Sequence, residues 1–501
     1  MANWIVFIIA SCVLIGVGYF SGRKIEQDQV EGEGFLLGAK SIGPFIGAGT
    51  LMATGYSGWG FIGSPGTAYA YGTIELFANF FFAPAITFGT LWFANYMRKN
   101  AESMGGLTVP EYLSKIHRGT EAEKRRVHLL AGFATLLFLT VYIVGQIRAV
   151  GLVASKWLGI SESIAATILL LVVIIFTMQG GLLAVAITDT IMCIGMLISA
   201  VIVVTVIKQD ISIMELIDKL GEIDPKIINP TSSAPYGHNK YQVFLVFIYA
   251  LLFTTTLPYM SVRFLSLKDD LKVHKMALYM APMGLILSFI PIVGLYMRYK
   301  NPGLENPDAA MPVFLNTYLH PAIGGIITLF ILFAMLSTIS SVLQTQASAL
   351  SHDMYVSIKK KMHPKGDKFN RWMVLVIALV SLWLTFVAPQ GMLNQIAYIG
   401  TGGLIAMFLG PTIVQIFIKG NAKTCFISML AGLITNVVLV LGVQTGWVEA
   451  PILGGLASAV VYAVMGYVTN GYKRIPEGYY KKKEQEEELV YNQKENLSVN
   501  S

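Results

Sequence analysis

The sequence predicts an all-α polytopic membrane protein, and two observations carry that prediction. First, 54% of the 501 residues are hydrophobic and only 13% are charged, whereas a soluble chain carries about 25% charged residues. Second, stretches of about 20 apolar residues, the length that crosses a bilayer as a helix, recur from end to end. The net charge of +7 indicates no nucleic-acid partner, because the basic residues concentrate in a few loops.

Hydropathy divides the chain into about thirteen predicted transmembrane helices. The first apolar stretch lacks a basic leading segment and a small-residue cleavage site, so we predict a retained helix rather than a signal peptide. The fifth and sixth spans are separated at Gln179-Gly180-Gly181. The predicted spans are 3–22, 44–71, 75–97, 127–154, 160–178, 181–207, 241–265, 273–298, 319–351, 372–388, 394–418, 424–443 and 448–470.

Lysine and arginine concentrate in loops on one side of this topology. The loops 98–126 and 356–371 are strongly basic, whereas acidic residues offset the lysines of the loop 208–240 on the other side. The positive-inside rule therefore places the N-terminus outside and the C-terminus in the cytoplasm of a multi-pass protein of the cell membrane. Thr108 to Leu113 is predicted as a short interfacial helix with Pro110 in its first turn.

Two predicted spans are interrupted. "LMATGYSGWGFIGSPGTAYAYG" (51–72) carries six glycines and a proline, and "ALLFTTTLPYMSVRF" (250–264) carries three threonines before Leu257-Pro258. Each opens a group of five spans once the first helix is set aside, which is the pattern of an inverted-repeat secondary transporter. Close helix packing explains a single glycine-rich segment, but the second break at the corresponding place favours the transporter.

The repeats divide the chain into six predicted regions. The last is charged and poor in apolar residues, which predicts disorder. The regions are an extra N-terminal helix with a cytoplasmic loop (1–43), a first inverted repeat (44–207), an extracellular loop (208–240), a second inverted repeat (241–418), two C-terminal helices (419–472) and a disordered cytoplasmic tail (473–501).

Polar side chains inside spans suggest an ion site. Asp189 lies about eight residues into its span, roughly 12 Å along the helix, where a carboxylate needs a partner. Ser337, Ser340 and Ser341 share one helical face, with Thr338 beside them. Hydroxyls and carbonyls suit a hard cation such as Na⁺. The alternative is that each hydroxyl bonds a carbonyl of its own helix.

These residues resemble the sodium:solute symporter family, which shares the five-plus-five inverted-repeat fold of the leucine transporter. The resemblance runs from "FLLGAKSIGP" (35–44) to about Tyr472. "GGLLAVAITDTIMCIGM" is similar to the family signature, and "AMLSTISSVLQTQASALSHDMY" to its sodium-binding helix. The fold it implies is about 13 transmembrane helices, with one extra N-terminal and two extra C-terminal helices around the repeats.

The resemblance implies specific sodium ligands. One site would use the backbone carbonyls of Ala53, Tyr56 and Ala334 with the hydroxyls of Ser337 and Thr338. Some family members hold a second sodium ion, and all four corresponding residues are present here, so one or two ions per cycle both stay open. Those residues are Asp189, Ser337, Ser340 and Ser341.

Within the family, "FIGSPGTAYAYG", "IDPKIINP" and "LPYMSVRFLSLKDDLKVHK" look most like bacterial sodium/pantothenate symporters. The aromatic substrate residues of the proline carriers align with Ala250 and Thr254, so we expect their aromatic pocket to be absent. The resemblance therefore implies import of a small monocarboxylate such as pantothenate by alternating access, with an amino acid such as proline as the alternative. The expected substrate contacts are Gly55, Ser57, Gly58, Trp59, Gln146, Thr254, Thr255 and Thr256.

Other classes lack their required residues. The sequence has no HExxH motif, no Walker A motif and no paired carboxylate motif for Mg²⁺, so we expect no enzyme. A channel would show repeated charged rings, and a non-transporting sensor on the symporter fold would carry a signalling domain. We expect Na⁺ as the coupling ion, no organic cofactor, a small solute and the lipid bilayer as partners, and a functional monomer.

Overall fold

The computed structural model describes residues 2–27, 36, 42–232, 235–237, 241–267, 271–389 and 391–470. In this part of the chain the backbone is helical between short turns, and the only β-structure is two isolated bridges. The longer helices are Ala2–Gln27, Pro44–Gly55, Ser64–Tyr71, Ile74–Met104, Val109–Ile116, Glu121–Leu158, Glu162–Asp210, Ile213–Ile223, Gln242–Thr256, Pro258–Leu265, Leu271–Leu287, Ile292–Lys300, Ala310–Thr317, Pro321–Ser348, Gly366–Val387, Leu393–Leu409, Ala422–Val437 and Glu449–Asn470.

The thirteen predicted spans all correspond to helical segments. Ten helices among the described residues are long and apolar enough to cross a membrane, and the bent pair Gln242–Thr256 and Pro258–Leu265 makes one more. The remaining two predicted spans are a second half of Glu162–Asp210 and the broken segment 44–71. Large apolar side chains such as Leu278, Trp383 and Val468 are exposed on the outside of the bundle, as a lipid-facing surface requires.

Gly181 separates the fifth and sixth spans, as the sequence predicts. Glu162–Asp210 is 49 residues long, and Gly181 is its one residue with non-helical dihedral angles, at φ 51° and ψ −151°. A straight helix of that length would measure about 74 Å, more than twice the roughly 30 Å of a bilayer core. A positive φ favours glycine because the Cβ of any other residue would clash with the backbone there. The position of the split is therefore encoded locally.

The first broken helix, residues 44–71, unwinds at Tyr56 and Ser57. Pro44 sits in the first turn of Pro44–Gly55, where its missing amide costs no hydrogen bond. After the break a π-helical turn, Trp59–Gly63, leads into Ser64–Tyr71. That helix ends at Gly72, whose φ is 83° and whose missing side chain leaves space for the Ile227 carbonyl.

The second broken helix, residues 242–265, bends by 49° at a single residue. Leu257 has extended angles, φ −90° and ψ 116°, between Gln242–Thr256 and Pro258–Leu265. Proline disfavours the helical region for the residue before it and cannot donate to the preceding turn. Leu257-Pro258 therefore explains both the position of the break and the restart of the helix.

The span Pro321–Lys359 occupies the centre of the bundle. Its most apolar window is 89% buried, against 22% for Ala422–Val443. The helix Pro321–Ser348 contacts Pro44–Gly55, Glu121–Leu158 and Glu162–Asp210. This packing brings the predicted serine face next to the first broken helix and the Asp189 span.

The predicted interfacial helix is present as Val109–Ile116. Thr108 caps it by accepting a hydrogen bond from the Glu111 amide at 3.2 Å, and Pro110 lies in the first turn. The predicted disordered tail, 473–501, lies outside the described residues, as does most of the loop 28–41.

Candidate functional site

The break in the first broken helix exposes backbone oxygens. Met52 O accepts a hydrogen bond from the Tyr56 amide, and Ser57 O accepts one from the Phe61 amide. Among the described residues, the carbonyl oxygens of Ala53 and Tyr56 accept no hydrogen bond. Both residues are fully buried. Because a buried carbonyl without a donor is costly, these two oxygens are suited to a bound cation.

The serine-rich helix Pro321–Ser348 supplies the opposite wall. Thr338 Oγ1 donates to Thr54 O at 3.4 Å, so this hydroxyl lies directly against the break. Ser337 Oγ donates to Ala334 O at 3.0 Å within its own helix. Ala334, Ser337 and Thr338 are all fully buried. The predicted ligands Ala53, Tyr56, Ala334, Ser337 and Thr338 therefore come from two segments in contact. Carbonyls and hydroxyls without formal charge fit a monovalent hard cation.

Asp189 forms a buried ion pair with an arginine that the sequence reasoning did not assign. Arg263 Nη2 lies 3.1 Å from Asp189 Oδ2, and both side chains are almost completely buried. The hydroxyls of Thr50 and Thr54 donate to the same carboxylate oxygen at 2.5 and 3.2 Å. The partner that Asp189 needs in the membrane is therefore a cation fixed to the chain.

The same guanidinium also engages the surrounding hydroxyls. Arg263 Nε donates to Thr50 Oγ1 at 2.7 Å, and Nη2 donates to Thr54 Oγ1 at 2.6 Å and to Ser341 Oγ at 2.7 Å. Ser341 Oγ lies 3.4 Å from Asp189 Oδ2. Four helical segments meet at this charge: Pro44–Gly55, Glu162–Asp210, Pro258–Leu265 and Pro321–Ser348.

Of the three serines predicted to hold a second sodium ion with Asp189, Ser341 lies within hydrogen-bond distance of the carboxylate. Ser337 and Ser340 make their hydrogen bonds elsewhere. Ser337 and Ser340 donate to Ala334 O and Ser337 O of their own helix. Arg263 could have been found by the rule that singled out Asp189, because an ionisable residue within a span needs a partner. Arg263 is the arginine in the quoted stretch around Leu257-Pro258.

An aromatic cavity lies beside the first break. Trp59 and Phe82 meet edge to face at 4.8 Å between ring centroids, and Trp59 stacks on Tyr56 at 5.9 Å. The expectation that an aromatic pocket is absent is therefore wrong: Tyr249 and Phe253 supply rings one position from Ala250 and Thr254. The cavity is lined by Trp59, Phe82, Tyr249, Phe253, Asn394, Ala397, Tyr398 and Thr401.

Several predicted substrate residues surround this break. Gln146 Oε1 accepts from the Gly58 amide at 3.1 Å, and the Ser57 and Tyr142 hydroxyls share a hydrogen bond at 3.2 Å. Gly55 faces Ile86 and Met260, where a Cβ would find ordinary contacts of 3.4 Å or more. Gln146 and Tyr142 thus hold the restart of the first broken helix in place.

The three predicted threonines are not among the residues that line the cavity. Thr255 and Thr256 donate to Leu252 O at 3.0 and 2.8 Å, within their own helix. Thr254 lies against Gly89, whose missing Cβ would fall 2.6 Å from Thr254 Oγ1. Self-bonding of this kind is the usual behaviour of Thr in apolar helices.

Two polar atoms of the cavity wall have no partner. Trp59 Nε1, a donor, and Asn394 Oδ1, an acceptor, are buried and make no hydrogen bond within the described residues. The Asn394 amide nitrogen is engaged by Thr67 Oγ1 at 2.8 Å. Buried polar groups are normally satisfied. Both residues line the aromatic cavity, which makes them candidates for polar contacts with a solute.

Glu75 organises the wall behind Asn394. Its Oε1 accepts from Ser64 Oγ at 2.5 Å and from Asn79 Nδ2 at 2.8 Å, and Tyr236 donates to Oε2. The carboxyl is fully buried. This network joins the second half of the first broken helix to the loop around Tyr236.

A second polar cluster lies at the opposite end of the bundle, next to the interfacial helix. Asp353 Oδ1 accepts from Thr108 Oγ1 at 2.5 Å and lies 2.8 Å from His128 Nε2. His352 Nε2 lies 3.0 Å from Glu111 Oε2. Burial raises the pKa of Glu111, but the hydrogen bond and charge of His352, with Lys115, outweigh it and lower the pKa to about 2.

The chain is similar to known transporters. A model of the sodium:solute symporter family matches residues 35–432. The chain is 27% identical over 460 residues to sodium/proline symporter 2 of Staphylococcus saprophyticus, covering 88% of this chain and 86% of that protein. It is 26% identical over 475 residues to the sodium/proline symporter of Staphylococcus aureus, covering 89% and 87%.

Two solved structures share the fold. One is the substrate-bound, outward-open state of a Na⁺-coupled sialic acid symporter, with a TM-score of 0.76 at 17% identity over 95% of this chain and 99% of that chain. The other is a nucleobase-cation-symport-1 family transporter in a closed conformation, with a TM-score of 0.57 at 14% identity over 88% and 96%. The predicted fold class is confirmed. The finer resemblance to pantothenate carriers finds no support among these relatives.

Proposed function

Because the chain belongs to the sodium:solute symporter family, we propose that it imports a small organic solute across the cell membrane, driven by the inward gradient of Na⁺. The observation that carries the proposal is the break at Tyr56 and Ser57. There, the buried carbonyls of Ala53 and Tyr56 have no donor among the described residues, and the Thr338 hydroxyl lies against Thr54 O.

We propose that Ala53, Tyr56, Ala334, Ser337 and Thr338 hold the coupling sodium ion. A bound Na⁺ would supply positive charge at mid-membrane depth. These ligands come from the first broken helix and from Pro321–Ser348, so ion binding would favour the state in which the two segments touch. Substrate and ion then share one conformational equilibrium, and each must raise the affinity for the other equally.

For the substrate we propose an amino acid of the proline type rather than pantothenate. Trp59 Nε1 would donate to a carboxylate and Asn394 Oδ1 would accept from an amino or imino group, since neither atom has a partner within the part of the chain that the structure describes. The rings of Phe82, Tyr249 and Phe253 suit a small apolar body. Relatives named as sodium/proline symporters support the same choice.

We also propose an orientation in the membrane, the extent of the two repeats and the residues around the substrate. The basic loops 98–126 and 356–371 support a cytoplasmic position for the Thr108–Asp353 cluster and an outside N-terminus. The repeats would span 44–207 and 241–418, and a single chain would suffice for transport. Ser57, Gly58, Trp59 and Gln146 would surround the proposed substrate, whereas Gly55 faces Ile86 and Met260 and would not contact it; no organic cofactor is required.

The test is uptake into proteoliposomes. Radioactive proline should accumulate only with an inward sodium gradient, and pantothenate should neither accumulate nor compete. Ser337→Ala with Thr338→Ala should raise the half-saturating sodium concentration by about ten-fold, because two neutral oxygen ligands are lost.

Thr328→Ala is the matched control, since the Thr328 hydroxyl donates to Gly324 O of the same helix away from the break. Its sodium dependence should equal that of the wild type. Uptake of proline that persists without a sodium gradient would contradict the coupling. Competition by pantothenate but not by proline would reverse the choice of substrate.

A further inference from the structure

The position of the possible second sodium ion is already occupied by a side chain. Asp189 Oδ2, the Thr54 hydroxyl and the Ser341 hydroxyl all lie within 3.1 Å of Arg263 Nη2. These are the oxygens that a cation bound at Asp189 would need. A sodium ion on the same oxygens would lie within a few ångströms of the guanidinium, where like charges repel strongly in a buried site.

The hydroxyls in this cluster already bridge the guanidinium and the carboxylate. Thr50 Oγ1 donates to Asp189 and accepts from Arg263 Nε, and Thr54 Oγ1 donates to Asp189 and accepts from Arg263 Nη2. Ser341 Oγ bridges the same two charges. Each of these hydroxyls therefore joins the cation to the anion.

Among the described residues, the hydroxyls of Ser337 and Ser340 make no hydrogen bond to Arg263 or Asp189. Ser337 and Ser340 donate to carbonyls of their own helix. Asp189 Oδ1 is buried without a hydrogen-bond partner among the described residues, but one oxygen does not make a site for a hard cation, which takes several. The donor set at Asp189 thus does not fit a sodium ion while Arg263 is in place.

The arginine also links the two broken helices. It belongs to the last turn of Pro258–Leu265, and its partners Thr50 and Thr54 belong to Pro44–Gly55. An ion bound there would come and go with each cycle, whereas a covalently attached cation keeps its charge in the membrane in every state. The charge at Asp189 is then balanced without any contribution from the sodium gradient.

We infer that Arg263 is a built-in cation that takes the place of a second sodium ion, so that the transporter couples to one Na⁺, held at the break of the first helix. This inference rests on the proposed function, since it assumes the sodium site at Ala53 and Tyr56. It makes Arg263 the residue that sets the ion stoichiometry, a role that does not require contact with the solute.

Equilibrium binding of radioactive sodium to the purified full-length chain, without substrate, tests it. The wild type should bind about one ion per chain with a Hill coefficient of about one. Arg263→Gln removes the guanidinium and leaves Asp189 charged, so this variant should bind about two ions, with a Hill coefficient above one. Arg263→Lys keeps a positive charge and should stay at about one ion per chain.

Variants at the carboxylate separate the outcomes. Asp189→Asn in the wild-type background should leave the stoichiometry at one, and Asp189→Asn with Arg263→Gln should return it from two to one. A wild type that binds two ions and loses one in Asp189→Asn would overturn the inference while leaving sodium coupling intact. Arg263→Gln that still binds one ion would overturn it as well.

A wild type that binds no sodium would instead contradict the proposed function. Ser337→Ala with Thr338→Ala distinguishes the two sites, because it should weaken the one ion of the wild type and leave the second ion of Arg263→Gln detectable at higher concentration. If Arg263→Gln does not fold, the stoichiometries of the wild type and of Asp189→Asn decide the question by themselves.

Discussion

The two broken helices occupy corresponding places in the fold, but they are interrupted in different ways. Residues 44–71 unwind over Tyr56 and Ser57 and continue through a π-helical turn. Residues 242–265 bend at one residue, Leu257, and resume at once after Pro258. Among the described residues, the first break leaves two carbonyls without donors, whereas the second broken helix presents a charged side chain, Arg263, to the first.

This difference separates two ways to place positive charge in a membrane. Backbone carbonyls carry no net charge, so they suit an ion that must bind and leave. A side-chain charge cannot leave and must be paired permanently, as Arg263 is with Asp189. Under the proposed function, the first break would exchange its ion in each cycle, whereas the second makes a fixed contact through Arg263.

The largest expected effect comes from Gly58, where the first broken helix restarts. A Cβ at this position would lie 2.6 Å from Gln146 Oε1 and 3.1 Å from Met335 Cγ. In Gly58→Ala, Gln146 must therefore move and lose its hydrogen bond to the Gly58 amide. A buried polar group left unpaired costs about 1–3 kcal/mol, so apparent substrate affinity in uptake assays should fall by about ten-fold or more.

Gly55→Ala is the matched control on the other side of the same break. The nearest atoms to its Cβ, from Ile86, Met260 and Phe82, lie at 3.4–4.0 Å, which is ordinary contact. Its uptake should remain within about two-fold of the wild type. Equal loss in both variants would mean that the restart at Gly58 has no special role.

A smaller effect is expected at the second break. In Pro258→Ala, the restriction on Leu257 disappears and a backbone amide becomes available, so the helix can extend through the bend. Because Arg263 follows on the same short helix, its contacts with Thr50 and Thr54 should loosen. We expect the initial uptake rate to fall by about two- to five-fold.

Pro321→Ala provides the comparison for that variant. Pro321 also begins a helix, Pro321–Ser348, but His320 before it ends a turn rather than a bent span. Its uptake should not change beyond experimental error. A Pro258→Ala variant as active as Pro321→Ala would show that the bend does not depend on the proline.

Both breaks and the split at Gly181 could be predicted from the sequence because each depends on a few neighbouring residues. The position of Thr338 next to the first break could also be predicted, because this residue lies beside the serine face of its helix. The pairing of Arg263 with Asp189 could not, because 74 residues separate them and the contact depends on how four helices pack. The aromatic cavity was missed for a related reason: Tyr249 meets Tyr398, and Phe253 meets Phe82, only in the folded bundle.

The smallest expected effect concerns a carboxyl that packs against the first broken helix outside the membrane spans. Asp308 lies against Gly66, and burial raises its pKa to about 7 although the Leu393 amide donates to it at 3.0 Å. Because the folded-state pKa lies above the unfolded value of 3.8, the stabilisation from the neutral acid is complete below about pH 4 and is lost as the pH rises through 7. The melting temperature of the purified protein should therefore decline across this range.

Asp308→Asn keeps the shape of this side chain and removes its charge, so its melting temperature should exceed that of the wild type by about 1–3 °C at pH 8 and match it near pH 4. Glu111 is the opposite case, because its pKa of about 2 is below the ordinary value and its stabilisation is lost only in strong acid. Glu111→Gln should therefore lower the melting temperature at pH 8, where Asp308→Asn raises it. A shift in the same direction in both variants would mean that one of the two carboxyls does not have the pKa that its surroundings imply. Opposite shifts would show that a charge on the carboxyl packed against the first broken helix destabilises the fold, in contrast to the paired charge that the second broken helix carries at Arg263.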